Sequence, residues 1–247
     1  MYRRLKRLLL RWLVLSDAIA DLDDVAGTLA LRRGPSFTGV ALPRAIIPGG
    51  PVPTWAQRGA LARLASSMLA DDGRYPALRD MLDRTPPRLR GRAPGGAVQT
   101  IDVAEQRALA LALDGSYLFI QGPPGTGKTW TGARLITELM RQGRHVGVAA
   151  TSHKAIHNLL AEVEEAAREE GLRFRGLKKA SAGNDESFYD GDSIANATEV
   201  ADFGRAGSEV LLFAGTAWLL AHEDLDGGAA PTIVTLVIDE AGQVSLA

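Results

Sequence analysis

Short apolar runs alternate with longer amphipathic stretches over the second half of the chain. The runs are continuous rather than alternating, which is typical of strands covered on both faces of a parallel sheet. We predict strands over 117–120, 145–150, 172–177, 210–214 and 233–238. Apolar residues at helical spacing predict helices over 103–113, 129–141 and 154–170. The pattern therefore predicts an α/β domain with a parallel sheet.

The first hundred residues have a mainly helical pattern. We predict a long helix over 2–31, amphipathic helices over 55–70 and 76–83, and short strands around 37–40 and 45–47. The segment 85–96 is rich in Pro, Gly and Arg, which is typical of a linker. We therefore divide the chain into a mainly helical accessory region with its linker, residues 1–92, and an α/β domain, residues 93–247.

We expect no membrane segment or secretion signal at the N-terminus. The apolar stretch Leu8–Leu15 is interrupted by Arg11 and is much shorter than the roughly 20 residues that cross a bilayer. It also lacks the small-residue cleavage site of a signal peptide. The chain has no cysteine, which excludes disulfides and thiolate metal sites and fits a protein of the reducing cytoplasm.

Charge is distributed unevenly, although the net charge is only −1. Residues 1–100 contain 16 Lys and Arg against 8 Asp and Glu, whereas residues 101–247 contain 12 against 21. The basic excess in the first part fits an arm that contacts an anionic partner. Arginines that simply keep exposed helices soluble are the other interpretation, and charge alone does not separate the two.

A glycine-rich loop lies between the predicted strand 117–120 and the predicted helix 129–141, and it fits the pattern G-x-x-x-x-G-K-[ST] at every fixed position. Its residues are Gly122, Pro123, Pro124, Gly125, Thr126, Gly127, Lys128 and Thr129. In a phosphate loop of this kind, Lys128 would contact the β- and γ-phosphates of a nucleotide and Thr129 would bind Mg²⁺. A glycine-rich turn that matches by chance is the alternative, and the flanking strand and helix patterns favour nucleotide binding.

Polar side chains follow several of the predicted strands. Asp239 and Glu240 follow the strand 233–238, Ser152 follows 145–150, and Thr216 follows 210–214. Open parallel sheets bind ligands at the carboxyl ends of their strands, so we expect these side chains on the same edge as the phosphate loop. Asp239 would bind Mg²⁺, and Glu240 would orient an attacking water.

Two further sites are suggested by helix termini. Asp102 is predicted to cap the helix that contains Gln106, whose amide can pair with adenine; a surface role for Gln106 is the alternative. Thr151 and Ser152 are predicted to cap the helix 154–170, where a nucleic-acid phosphate could bind. His153 and a second histidine four residues later have the spacing of a zinc pair, but we discount this site because no third ligand is apparent.

Together these residues resemble superfamily 1B helicases related to the nonsense-mediated-decay RNA helicases. The matching motifs contain Gln106, the phosphate loop, Ala150–Leu160, Gly215-Thr216 and the run Asp239–Gln243. The resemblance implies that Gln106 and Gln243 bind the nucleotide and that Thr151, Ser152, His153 and Thr216 contact a nucleic-acid strand. A Thr-Asn pair usually stands in the family where this chain has Ser152-His153.

The resemblance also implies a RecA-like motor domain that acts with a second RecA-like domain, whose arginines reach the γ-phosphate of ATP. The chain ends seven residues after Glu240, so we expect a truncated first motor domain. The wording around the loop and the last residues is most similar to bacterial proteins that fuse a RecB-like nuclease to such a helicase. No nuclease carboxylate cluster is recognisable in this sequence, so we do not extend nuclease activity to it.

The sequence thus predicts an ATP-dependent motor that acts on single-stranded DNA or RNA with ATP and Mg²⁺. A nucleotide-binding switch or assembly module that does no mechanical work is the alternative. Glu240 favours the motor, because a water-orienting Glu is needed for repeated turnover and not for binding alone. A small-molecule kinase is a weaker third interpretation, because the sequence contains no recognisable acceptor pocket.

Overall fold

The computed structural model describes residues 19–23, 28–31, 53–93, 95, 98–226 and 233–243. Contacts divide the chain into two units, Met1–Pro53 and Thr54–Ala247. In the first unit, β1 (Ile19–Asp23) and β2 (Thr28–Leu31) pair in an antiparallel hairpin. The predicted helix 2–31 is therefore wrong over 19–23 and 28–31. A physical reason lies in the sequence, because Gly27 is unfavourable inside a helix.

Residues 2–18 of that predicted helix and the predicted short strands 37–40 and 45–47 lie outside the described residues. No described helix is both long enough and apolar enough to cross a membrane.

The helices of the second unit agree with the sequence pattern to within about one residue. They are α1 (Trp55–Ala70), α2 (Pro76–Leu82), α3 (Val103–Ala112), α4 (Lys128–Arg141) and α5 (His153–Glu169). The predicted caps are confirmed: the Asp102 side chain accepts from the Glu105 N–H at 2.7 Å, and Ser152 Oγ accepts from the Ala155 N–H at 3.1 Å. Two shorter helices that the pattern did not predict are α6 (Val200–Gly204) and α7 (Ala217–Leu220).

Five parallel strands form the sheet of the second unit. They are β3 (Val146–Ala149), β4 (Arg175–Lys179), β5 (Ile194–Ala197), β6 (Val210–Gly215) and β7 (Thr235–Ile238). Their order is β5-β4-β6-β3-β7. Ala149 lies opposite Gly215 on one side and Ile238 on the other, so β3, β6 and β7 end at one edge of the sheet, which we call the carboxyl edge. The α/β class with a parallel sheet is confirmed, and the arrangement is that of a RecA-like phosphate-loop domain.

Helices cover both faces of this sheet, because alternate residues of a strand point to opposite sides. Leu212 and Ala214 of β6 belong to the larger apolar core, which includes the buried sides of α4 and α5. Phe213, between them, belongs to a second cluster with Phe203 of α6 and Leu219 of α7. The core thus packs α4 and α5 against the sheet.

The strand predicted over 117–120 does not form. Phe119 is 70% exposed, and its ring packs edge to face on Tyr117, whose hydroxyl donates to the Thr85 carbonyl at 2.8 Å. A run of strand formers needs a neighbouring strand to complete its hydrogen bonds, and this run has none among the described residues. The strand predicted over 172–177 is displaced to β4, and β5 was not predicted because its four residues show no apolar run.

The segment 85–92, predicted as a linker, pairs with the chain that leads into the phosphate loop. Leu89 forms an antiparallel bridge with Leu113, and the Arg90 N–H donates to the Ala112 carbonyl at 2.8 Å. These bonds place α1 and α2 in the same unit as the sheet. The contact boundary therefore lies at Pro53/Thr54, whereas the sequence pattern places a boundary at 92/93.

Candidate nucleotide and nucleic-acid site

The phosphate loop has a conformation that depends on its glycines. Gly125 and Gly127 have φ angles of 80° and 79°, in the left-handed region where other residues are strained. A Cβ on Gly122 would lie 2.4 Å from Thr126 Oγ1. Gly127 is the N-cap of α4, so the N–H groups of the first turn open towards the loop without a capping side chain. Free N–H groups at a helix N-terminus bind anions such as phosphate.

The Lys128 ammonium lies against the loop. Its Nζ donates to the carbonyl oxygens of Gly122 at 2.8 Å and Pro123 at 2.9 Å. Both carbonyls belong to the first turn of the loop, so the side chain folds back over the space that the loop surrounds. A bound phosphate would offer oxygens that carry full charge, and ammonium groups bind these more strongly than neutral carbonyls.

Thr129 and Asp239 meet next to the loop. Thr129 Oγ1 lies 3.5 Å from Asp239 Oδ2. The Asp239 N–H donates to the Ala149 carbonyl at 2.9 Å, which extends the β3–β7 pairing by one residue and fixes the carboxylate at the carboxyl edge. A hydroxyl and a carboxylate are the hard oxygen ligands that Mg²⁺ prefers, so this pair fits that ion.

Glu240 has an unusual backbone conformation. Its φ angle is 52°, which is rare for a residue with a side chain, and its N–H donates to Asp239 Oδ1 at 2.9 Å. Glu240 Oε2 accepts a hydrogen bond from Thr151 Oγ1 at 3.2 Å. Strained residues of this kind are concentrated at functional sites. The bond to Thr151 joins the end of β7 directly to the end of β3.

The residues predicted to contact nucleic acid lie at helix N-termini along the carboxyl edge. Ser152 caps α5, His153 is the first residue of α5, and Thr216 is the N-cap of α7. Thr151 and Thr216 follow β3 and β6, which are neighbours in the sheet. The structure therefore aligns these side chains along one edge, with Thr151 reaching the nucleotide side through Glu240.

His153 has a partner that the sequence did not suggest. Lys178 of β4 is completely buried, and its Nζ lies 3.3 Å from His153 Nδ1. Burial and the adjacent Lys178 charge hold the pKa of His153 below its ordinary value of 6.5. Two consecutive lysines in a strand were a usable signal, because alternation forces one of the two side chains inward. The described residues contain no group of three His, Cys, Asp or Glu side chains that could hold a metal ion.

Gln106 lies apart from these contacts. Its Nε2 donates to the Thr100 carbonyl at 3.1 Å, and its Oε1 is buried without a partner among the described residues. The amide is thus held on one side, and a base amino group such as adenine N6 could bond to its acceptor only where that oxygen becomes accessible. Gln243 ends a short 3₁₀ turn, Ala241–Gln243, and its side chain lies outside the described part of the chain.

Residues 100–187 match a family model described as an AAA domain. The chain is 40% identical over 62 residues to the mouse protein named DNA-binding protein SMUBP-2, which covers 25% of this chain and 6% of the relative. It is 27% identical over 146 residues to the Arabidopsis thaliana protein named DNA replication ATP-dependent helicase/nuclease JHS1, which covers 57% of this chain and 10% of the relative. No solved structure matches the chain significantly. The matched family segment contains the phosphate loop, α4 and α5, and the alignments span only a small part of either relative.

Proposed function

We propose that this chain is the ATP-binding motor part of an ATP-dependent helicase or translocase, which hydrolyses ATP to move on single-stranded DNA or RNA. The observation that carries the proposal is the pair of contacts at the carboxyl edge. One joins Thr129 to Asp239 and the other joins Thr151 to Glu240. The first contact assembles the nucleotide site, and the second links that site to the strand end that precedes α5.

The nucleotide would be ATP with Mg²⁺. The loop N–H groups and Lys128 would hold its phosphates, Thr129 and Asp239 would hold the ion, and Gln106 with Gln243 would contact the base. Magnesium would neutralise the charge that develops on the phosphates during transfer. Glu240 would orient the attacking water and accept its proton, as a carboxylate in hydrogen-bonding reach can.

The single strand would lie along the carboxyl edge, against Thr151, Ser152, His153 and Thr216. The N-terminus of α5 is the favourable end of the helix dipole for a phosphate group. The names of the two relatives support a nucleic-acid partner, since one is called a DNA-binding protein and the other a DNA replication helicase/nuclease. Both names, with the AAA domain match, support a place among superfamily 1 helicases.

A second RecA-like domain would complete the catalytic site in the full protein, as the resemblance implies. We also propose that residues 1–92 act as an accessory region to the motor, that a nuclease domain accompanies it in the parent protein, and that the protein works in the cytoplasm without a membrane partner.

The proposal is tested by steady-state ATP hydrolysis in the full-length parent protein, with and without single-stranded DNA or RNA. We expect either single-stranded DNA or single-stranded RNA to raise the rate of ATP hydrolysis. Duplex of the same sequence is the matched control and should stimulate less. ATP hydrolysis that neither strand changes would contradict the motor and favour the nucleotide switch.

A further inference from the structure

We propose that Lys178 fixes the imidazole of His153 in the form that carries its proton on Nε2, so that His153 presents a neutral N–H donor to a phosphate of the bound strand. The inference rests on the proposed function, since it concerns the same nucleic-acid edge. It assigns a role to Lys178, a buried residue of β4 that is not among the residues predicted from the sequence to contact nucleic acid. Lys178 is thus a positioning residue, and His153 is the residue in contact.

Lys178 is an ammonium in an unusual place. It lies in β4, one residue before the strand ends, and its side chain is 0% exposed. None of the ion pairs among the described residues includes it. Burying a charge without an opposite charge is costly, and proteins rarely keep such a group without a use. Within the described part of the chain, Lys178 Nζ has one polar contact, to His153 Nδ1 at 3.3 Å.

The chemistry of the two groups decides which atom donates. Burial lowers the pKa of Lys178 to about 8, so the side chain is mainly a charged ammonium at pH 7. An ammonium has three N–H donors and no acceptor. It can therefore bond to Nδ1 only if that nitrogen has a free lone pair, and in a neutral imidazole the proton then sits on Nε2.

The surroundings of His153 favour the neutral ring. Burial, followed by the charges of Lys178 and Lys179, lowers the pKa of His153, and the opposing carboxylate of Glu186 only partly offsets them. His157 of the same helix lies with its ring centre 6.3 Å away, and its pKa is also lowered, mainly by burial. At neutral pH the ring is thus an uncharged donor at the N-terminus of α5.

The exposed surface next to His153 suits a strand of nucleic acid better than a small anion. His153 is the first residue of α5, directly after the exposed Thr151 and Ser152 at the end of β3. The neutral N–H of His153 would donate a directional hydrogen bond to a phosphate, in addition to the attraction of the helix N-terminus. Phosphate contacts of this kind fix the register of a bound strand.

The test compares two substitutions that each remove one lysine charge. Each is made in the natural chain and in a chain with His153 replaced. Lys178→Met keeps the length of the side chain and removes the ammonium. Lys179→Met is the matched control, because Lys179 bonds to the Ala180 carbonyl and not to His153. Both variants are made in the natural chain and in the His153→Ala chain, which has no side-chain donor for Lys178 to orient. Thermal unfolding measured by circular dichroism checks that all variants fold.

We expect Lys178→Met to weaken binding of a fluorescent single-stranded oligonucleotide about twofold more than Lys179→Met in the natural chain, because a ring that samples both neutral forms offers the Nε2 donor only part of the time. In the His153→Ala chain the two substitutions should have equal effects. An equal excess loss in both backgrounds would overturn the inference, because Lys178 would then act on the fold or on the strand itself.

A spectroscopic measurement tests the same point without any nucleic acid. The four histidines of the chain can be labelled with ¹⁵N, and the ring nitrogen shifts report which atom carries the proton. We expect His153 to carry it on Nε2 in the natural chain and to become a mixture of both forms in Lys178→Met. A proton on Nδ1 in the natural chain would overturn the inference alone, whereas failure of the natural chain to bind any strand would contradict the proposed function as well.

Discussion

At the scale of single residues, Glu240 and Thr151 carry the link between the two halves of the proposed site. Glu240 has a left-handed backbone and accepts from Thr151 Oγ1 at 3.2 Å, while its own N–H donates to Asp239. The carboxylate is therefore held by the end of the strand that precedes α5. A nucleic acid that moved Thr151 would free Glu240 to reach a water, which gives a physical route from strand binding to hydrolysis.

We predict that Glu240→Gln in the full-length protein keeps ATP binding and loses hydrolysis by about 10²-fold or more, the range that general-base catalysis supplies. Gln has the same size and still accepts from Thr151, but it cannot take a proton from water. Radiolabelled ATP turnover and equilibrium ATP binding measure the two properties separately. Turnover near the natural rate would make Glu240 a structural strand end.

The sequence was informative at this scale where a residue must have one chemistry. The glycines of the loop, Lys128 and the Asp239-Glu240 pair could be recognised in the sequence, because phosphate and metal binding require these residue types at this spacing. Lys178 was not predicted, because its role depends on a contact across 25 positions of the sequence, which only the fold creates.

At the scale of elements, a buried polar network ties α2 to the segment that leads into the phosphate loop. Asp80 of α2 is 6% exposed, accepts from Ser116 Oγ at 2.8 Å and pairs with Arg88. The Arg88 side chain also donates to the Gly115 carbonyl at 2.8 Å. This network explains why residues 85–92, rich in Pro and Arg, behave as part of the domain and not as a linker.

We predict that Asp80→Ala lowers the free energy of unfolding by about 1–3 kcal/mol, because it removes the buried carboxylate to which the partly buried Ser116 and Arg88 donate. Glu165→Ala is the matched control, since Glu165 also pairs with an arginine but its side chain is 51% exposed on a regular helix, and it should change stability little. Urea unfolding at pH 7 measures both. Equal effects of the two substitutions would show that the network does not stabilise the domain.

Periodicity predicted the type of an element correctly where the element packs on the core. It failed where the element type depends on which other segment pairs with it. The helices α4 and α5 and the strands β3 and β6 agree with the apolar pattern because each buries a continuous stripe or run, whereas β7 has the predicted type although Leu236 and Ile238 are partly exposed. Residues 117–120 have the composition of a strand without a partner strand, and residues 19–23 and 28–31 pair as strands despite helical spacing. Strand formation depends on neighbours that a local pattern does not contain.

At the scale of the whole molecule, the carboxyl edge of the sheet brings together the proposed nucleotide site and the proposed nucleic-acid site. The order β5-β4-β6-β3-β7 brings the ends of β6, β3 and β7 side by side, and with them Thr216, Thr151 and Asp239. The phosphate loop reaches the same edge through Thr129. That order could not be derived from the sequence, since it depends on which strands pair, although the shared edge was expected for any parallel sheet.

If the loop and the carboxyl edge form one Mg-ATP site, ATP affinity should depend on Lys128, and calorimetry on the natural chain and on Lys128→Ala measures this. We predict that the natural chain binds Mg-ATP and that the substitution weakens binding at least tenfold, because phosphate charges lose their ammonium partner. Circular dichroism should show the same fold in both. Unchanged Mg-ATP affinity in a folded Lys128→Ala chain would contradict the account.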